Sequence, residues 1–156
     1  MNGVAIQTGF SLALSCDFRI AAETAKLDSA TLRFGLLPDE GGQHLVVRQL
    51  GLAGAMDFFM RKRIISASDA HKLGLVHEVV PEAELEAEVM ALANELASGP
   101  QVAMRMLKRS LYNATEQPWA AALDDIAART AITDHHPDAR EGVAAFKEKR
   151  EPKFNA

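Results

Sequence analysis

A short apolar strand, a turn containing glycine and an apolar helix follow one another at the start of the chain. Val4 to Ile6 is typical of a buried strand, and residues 9–15 are typical of a short helix. The turn at Thr8 and Gly9 then presents the free N–H groups of a helix N-terminus, which can stabilise negative charge on a carbonyl oxygen. Taken alone, this pattern favours an ordinary strand-to-helix connection over an oxyanion site.

Acidic and histidine side chains offer few other groupings. Asp39 and Glu40 precede a helix predicted to begin near residues 39–42, where acidic residues favour a helix N-terminus. His135 and His136 are adjacent, so their side chains point apart, and no third ligand is spaced nearby. We therefore predict no metal site. Cys16 is interpreted as a small core residue rather than a nucleophile.

Composition excludes several functional classes. The 156 residues are 48% hydrophobic and 24% charged, which is typical of a folded globular chain. A net charge of −4 gives no general attraction to nucleic acid or to an anionic membrane, so an anionic ligand must be held by local groups. One cysteine excludes an internal disulfide. With no signal peptide or membrane-spanning run visible, we expect a cytoplasmic location.

Residues 1–81 have the pattern of α/β structure. Short extended segments are predicted at residues 18–21, 26–29 and 76–80, with helices between them, one of them over residues 53–60. Ser66 and Asp69 resemble a capping box, and Gly74 is placed to end the helix that they open.

Residues 82–156 have a helical pattern throughout. Gly99-Pro100, Pro118 and Pro137 divide this region into four predicted helices. Four such helices do not readily form a separate core, so we expect them to pack on the first region or on another subunit.

Four stretches in order resemble one protein family. Residues 2–17 (NGVAIQTGFSLALSCD) resemble the pattern N-G-x-A-x-G-x-G-x-x-L-A-L-x-C-D of the crotonase (enoyl-CoA hydratase/isomerase) family. Residues 35–42 (GLLPDEGG) resemble its G-L-x-P-x-x-G-G, and residues 65–76 resemble its I-x-A-x-x-A-x-x-x-G-L-V. Residues 138–154 resemble its closing D-x-x-E-G-x-x-A-F-x-E-K-R-x-P-x-F. Each motif is weak alone, whereas four in order over nearly the whole chain are specific.

The resemblance implies a fold and a reaction class. The family fold is a spiral of ββα turns, here N-terminally truncated, followed by a helical region used in trimer assembly, so a homotrimer or hexamer is implied. Its members bind acyl-CoA thioesters and hold an enolate-like intermediate with two backbone N–H groups. The second of these donors maps to Thr8, beside Gly9. Coenzyme A is part of the substrate, and no separate cofactor is implied.

The resemblance also assigns proton-transfer positions. Hydratases of this family use two glutamates, and the matching positions are Ser11 and Thr31, neither of which is a carboxylate. We interpret them as a helix-surface hydroxyl and a loop hydroxyl that line the pocket. Asp39 matches the aspartate base of some family isomerases, where an apolar pocket would raise its pKa. The alternative is that Asp39 only caps the following helix, and Glu40 is the second candidate base.

Three further residues are implied as substrate contacts. Phe34 lies in the loop before the Gly-Leu-Leu-Pro motif, and Phe146 and Lys149 match positions that reach the CoA of a neighbouring subunit. Without the resemblance, the pattern around Phe146 and Lys149 indicates only an amphipathic C-terminal helix with an exposed lysine.

The match begins inside the family pattern. Family members carry a long earlier segment, which supplies the first oxyanion N–H and most of the adenine pocket. We therefore expect catalysis from a longer parent and half an oxyanion hole in the chain as given. The sequence leaves three functions open: an enoyl-CoA isomerase; a non-catalytic acyl-CoA binder or a remnant that needs the missing segment; and an enoyl-CoA hydratase.

Overall fold

The structure is a computed structural model that describes residues 1–155. The chain forms two compact units, Met1–Met90 and a second that starts at Ala91. The boundary lies inside one helix, α4, rather than at Pro81, where the sequence pattern changes.

The first unit alternates short strands and helices. In chain order its elements are β1 (Val4–Ile6), α1 (Thr8–Ser15), β2 (Ile20–Ala22), β3 (Lys26–Asp28), a 3-10 helix (Ala30–Phe34), α2 (Gly42–Met60), β4 (Ile65–Ser66), α3 (Ala67–Lys72), β5 (Glu78–Val80), a 3-10 helix (Glu82–Glu84) and the start of α4 (Leu85–Ser98). The predicted strand at residues 76–80 is shorter than expected. The helix predicted at residues 53–60 is the second half of α2, which is interrupted at Gly51 with φ 67° and ψ 173°.

Strands β1 to β5 form two small sheets. β1 pairs in parallel with β3, with Ala5 opposite Leu27, and β3 pairs in antiparallel with β4. β2 pairs in parallel with β5. The parallel pairing of β1 with β3 brings the ends of both strands together, so the turn after Ile6 lies beside the end of β3.

Apolar side chains from α1 and α2 form much of the core of the first unit, together with residues of β2, β3 and α3. The rings of Phe10 and Phe58 stack with their centroids 5.2 Å apart, and Leu14, Leu27 and Val46 are buried in the same cluster. Cys16 is exposed at the end of α1, so its interpretation as a core residue is wrong. The helix turns the thiol outward because Phe10 and Leu14, four residues apart, already occupy its buried face.

The N-cap half of the predicted capping box is confirmed at Ser66, whereas the Asp69 carboxylate bonds to the Ser66 hydroxyl and not to its backbone N–H. The Ser66 hydroxyl accepts a hydrogen bond from the Asp69 backbone N–H at 3.1 Å and donates to the Asp69 carboxylate at 2.9 Å. The helix α3 that it opens ends before Gly74, which has φ 77° as a helix-terminating glycine requires.

The second unit contains helices and no strand among its described residues. After the rest of α4 come α5 (Gln101–Ala114), α6 (Trp119–Asp134) and α7 (Pro137–Glu148), with breaks at the predicted glycine and proline positions. Asp125 on α6 accepts hydrogen bonds from Ser110 and Asn113 of α5, and these bonds join the two helices. It also accepts one from Arg129 on its own helix.

The C-terminal tail is fastened to this unit by polar contacts. Asn155 donates from its side chain to the Gly99 carbonyl at 3.0 Å, and its backbone N–H donates to Asp138 at 2.9 Å. Arg150 forms a two-point ion pair with Glu141, and this hydrogen-bonded contact lowers the pKa of Glu141 to about 2. The tail is therefore held by hydrogen bonds and an ion pair.

Candidate functional site

The turn between β1 and α1 exposes a backbone donor. The first intrahelical hydrogen bond runs from the Ser11 N–H to the Gln7 carbonyl at 2.9 Å. The N–H groups of Thr8 and Gly9 precede it, so the helix supplies no acceptor for them. Both residues are exposed. These N–H groups are therefore not used by the helix, and the oxyanion role of Thr8 stays a prediction.

Gln7 holds this turn in a strained conformation. Its φ of 52° and ψ of −116° lie in a left-handed region that glycine adopts freely and other residues avoid. Such a conformation costs on the order of 1–3 kcal/mol and persists only where its surroundings fix it. The Gln7 N–H donates to the Asp28 carbonyl at 3.1 Å, which anchors the turn to the end of β3.

The Gln7 side chain reaches Thr31. Its Nε2 donates to the Thr31 hydroxyl oxygen, and Thr31 is only 5% exposed. The interpretation of Thr31 as a loop hydroxyl is thus wrong, because the residue lies in the 3-10 helix Ala30–Phe34 and is covered. No local pattern indicates this contact, because Gln7 and Thr31 are 24 positions apart and are brought together by the pairing of β1 with β3.

Ser11 is also buried rather than on the helix surface. Its hydroxyl faces the first residue of α2, where a Cβ placed on Gly42 would lie 2.5 Å from Ser11 Oγ. The absence of a side chain at Gly42 is what lets the two helices approach there. Ser11 and Thr31 remain pocket-lining candidates in the first unit, and neither supplies a carboxylate.

Asp39 and Glu40 lie in the loop that leads into α2. This loop is closed by a hydrogen bond from the Gln43 side-chain amide to the Pro38 carbonyl. The N-cap of α2 is Gly41, with φ 80° and no side-chain cap hydrogen bond, so the alternative in which Asp39 caps the helix is wrong. Asp39 is exposed and Glu40 is half-buried. The carboxylate of Asp39 is therefore available for other chemistry.

Exposed apolar side chains precede Asp39 in the same segment. Phe34 is 74% exposed and Leu37 is 75% exposed. The apolar surroundings expected around Asp39 are not formed by packing among the described residues. They are present as this exposed run of apolar side chains.

Asp28 is a buried acid that no motif in the sequence indicates. Its side chain is 1% exposed, and the Arg33 guanidinium lies 3.0 Å from Oδ2. Burial raises the pKa of the Asp28 carboxyl above its ordinary value of 3.8, although the Arg33 charge and a hydrogen bond from the Ser29 backbone oppose this shift. Arg33 also donates to the Lys62 carbonyl, so the pair links β3 to the end of α2.

We predict that Asp28→Asn raises the free energy of unfolding relative to wild type, and that this difference grows as the pH rises. Because the folded-state pKa is raised, charging Asp28 costs folding free energy, and this cost appears between pH 3.8 and the folded pKa. The difference in unfolding free energy between the variant and wild type should grow across that window and level off above it, as measured by denaturant unfolding at several pH values. Asp69→Asn is the matched control, because the Ser66 hydrogen bond lowers the pKa of Asp69. That variant should lose stability at neutral pH and recover as the pH falls below 3.8. A pH-independent difference for Asp28→Asn would contradict the prediction.

The remaining predicted contacts belong to the second unit. Phe146 on α7 is 86% exposed, and Lys149 ends that helix with φ 55°. Their predicted contact with CoA stays a prediction. No group of three or more His, Cys, Asp or Glu side chains is arranged to hold a metal ion within residues 1–155. Over the same residues, no helix is long and apolar enough to cross a membrane.

Sequence and structure comparisons agree with one another. Residues 1–156 match the family described as enoyl-CoA hydratase/isomerase. A probable enoyl-CoA hydratase of Rhodobacter capsulatus is 38% identical over 99% of this chain and 60% of its own length. The 1,2-epoxyphenylacetyl-CoA isomerase of Escherichia coli is 36% identical over 99% of this chain and 59% of its own. The crystal structure of an enoyl-CoA hydratase from Bacillus anthracis superposes with a TM-score of 0.94 at 35% identity, over 97% of this chain and 59% of that one. The chain thus spans about 60% of the length of the relatives that it matches.

Proposed function

Because this chain belongs to the enoyl-CoA hydratase/isomerase family, we propose that it acts on an acyl-CoA thioester and shifts a carbon–carbon double bond of the acyl group. The observation that carries the proposal is the distribution of carboxylates. The two positions where hydratases of the family carry glutamate are Ser11 and Thr31, and both hydroxyls are buried. Asp39 is left as an acid that is exposed and does not cap a helix.

The proposed reaction needs one base and one oxyanion site. The Thr8 N–H donates to the thioester carbonyl oxygen, which makes the neighbouring C–H more acidic. The Asp39 carboxylate removes a proton from the carbon next to the carbonyl of a 3-enoyl-CoA, giving a dienolate. The same group then returns the proton to the fourth carbon, and the double bond moves into conjugation. No redox step and no cofactor beyond the substrate's CoA is involved.

The names of the relatives support the reaction class and leave the reaction open. One relative is named a probable hydratase at 38% identity and another an isomerase at 36% identity, a difference too small to choose between them. The choice between hydration and isomerisation therefore rests on the residues present in the chain. Hydration needs a group that places and deprotonates water and another that protonates carbon, whereas a double-bond shift needs one carboxylate.

The decisive experiment follows both reactions in one assay. The protein, as the cell makes it, is incubated with a 3-enoyl-CoA, and the products are resolved by mass and retention. Isomerisation leaves the mass unchanged, and hydration adds the mass of one water. We expect isomer as the main product. Hydration of a 2-enoyl-CoA that is much faster than isomerisation would refute the proposal in favour of the hydratase alternative.

A non-catalytic acyl-CoA binder is the second candidate function. The exposure of Asp39 and of the apolar run that precedes it favours this alternative, because nothing in the chain itself desolvates the carboxylate. A thermal shift with a CoA thioester, without turnover of any enoyl isomer, would support it. No shift with any thioester would instead support a remnant that needs a further segment.

We also propose that the protein assembles as a homotrimer or hexamer. Helices of the second unit carry exposed apolar side chains, including Leu111, Trp119 and Phe146. Exposed apolar surface of this extent is typical of surfaces that bind another chain. Sedimentation velocity at micromolar concentration is expected to show a trimer or hexamer. A well-behaved monomer at that concentration would contradict the assembly proposal without affecting the proposed reaction.

A further inference from the structure

The proposed reaction uses the backbone of the turn between β1 and α1, here called the oxyanion turn, but it gives no role to the Gln7 side chain in that turn. Both backbone contacts of Gln7, to Asp28 and to Ser11, use main-chain atoms that a glycine would also supply. Glycine would adopt φ 52° without strain. The presence of a five-atom side chain in this conformation therefore points to a task for the side chain itself.

That side chain crosses the space between the oxyanion turn and Thr31. Its amide donates to the hydroxyl of Thr31, the position that carries a glutamate in the family's hydratases. A carboxamide does not deprotonate water near neutral pH, and here its donor is directed to a buried hydroxyl instead of solvent. Gln7 thus fills the place beside residue 31 with a group that cannot deprotonate water.

We propose that Gln7 determines reaction selectivity by excluding the water molecule that hydration requires, so that the enolate is reprotonated instead. This inference rests on the proposed function and names the residue that limits it to isomerisation. A water in a protein cavity takes up about 30 Å³. Removal of the side chain beyond Cα would therefore open room for at least one water next to the Thr31 hydroxyl, which can hydrogen-bond to it.

Binding of two matched thioesters tests this without relying on turnover. A 3-hydroxyacyl-CoA carries the added oxygen of the hydrated product, and the corresponding 2-enoyl-CoA does not. We expect wild type to prefer the enoyl compound in calorimetric titration. Gln7→Gly should move the ratio of the two dissociation constants toward the hydroxyacyl compound by roughly tenfold, the worth of about one hydrogen bond. The share of hydrated product in the turnover assay should rise in the same variant.

Two further variants separate water exclusion from other causes. Lys62→Gly is the control for strain, since Lys62 is exposed, also has a positive φ of 53° and accepts a hydrogen bond from Arg33 through its backbone carbonyl, which a glycine keeps. It is expected to leave the ligand ratio unchanged. Gln7→Met keeps the side-chain volume without the amide, and it should shift the ratio less than Gln7→Gly.

The outcomes keep the two proposals distinct. An unchanged ligand ratio in Gln7→Gly overturns the inference and leaves isomerisation by wild type standing. An equal shift in Gln7→Met and Gln7→Gly overturns the volume argument, and an equal shift in Lys62→Gly assigns the effect to strain. Efficient hydration by wild type, or no binding of either thioester to it, overturns both proposals.

Discussion

Replacing Asp39 with Asn is expected to slow enoyl-CoA isomerisation by about 10²–10⁴-fold, the usual loss on removal of a proton-transfer group. Asparagine keeps the shape of the side chain and removes its ability to take a proton. Asp39 makes no cap to α2, so the substitution should leave that helix in place. Binding of the thioester should change little, because the Thr8 backbone donor is unaffected. The loss is therefore expected in kcat, with KM changed only slightly.

Glu40→Gln is the matched control for this prediction. Glu40 is the adjacent acid in the same loop and the second candidate for the base. We expect the isomerisation rate of Glu40→Gln to change by less than about threefold, which is small compared with the loss of about 10²–10⁴-fold expected when a proton-transfer group is removed. A large loss in Glu40→Gln with Asp39→Asn unaffected would reassign the base to Glu40. Isomerisation unchanged in both variants would show that the base lies elsewhere in the protein.

Local signals in the sequence predict most of the elements. Pro100, Pro118 and Pro137 mark helix starts that the structure places within one or two residues, because proline fixes its own φ and has no N–H to leave unpaired. Ser66 and Asp69 form the predicted cap because that contact lies within one turn of chain. The two helices predicted on either side of Gly51 are found as the two halves of α2, because the chain is non-helical at Gly51, with φ 67° and ψ 173°.

The site was less predictable because its contacts are distant in sequence. The positions of Thr8 and Asp39 follow from motifs, whereas the burial of Ser11 against the start of α2 and of Thr31 within the 3-10 helix depends on the fold. In the sequence, Asp28 looks like an ordinary residue of an extended segment. Its burial is visible only in the structure, where β3 pairs with β1 and with β4. A charged residue at the end of a short strand carries no local sign of burial.

Gly42→Ala is expected to destabilise the protein by about 1–3 kcal/mol, the range for overpacking a closely packed contact. An added Cβ would lie 2.5 Å from Ser11 Oγ, well inside van der Waals contact, while the Ser11 Cβ is a comfortable 3.6 Å away. Ser11 is buried, so its hydroxyl has little room to rotate away. The start of α2 must then move, and the loop that carries Asp39 moves with it. Isomerisation should consequently fall together with stability.

Removal of the hydroxyl should rescue this variant. Ser11→Ala deletes the clashing atom, so the double variant Ser11→Ala/Gly42→Ala is expected to recover most of the lost unfolding free energy and activity. Denaturant unfolding of the four proteins gives the coupling between the two sites, expected to be at least about 1 kcal/mol. Gly9→Ala is the control for adding a methyl group near the same turn, because its Cβ would meet nothing within 4 Å. Its stability should be equal or slightly higher. Additive effects of Ser11→Ala and Gly42→Ala would show that the contact between Ser11 and Gly42 does not set the position of α2.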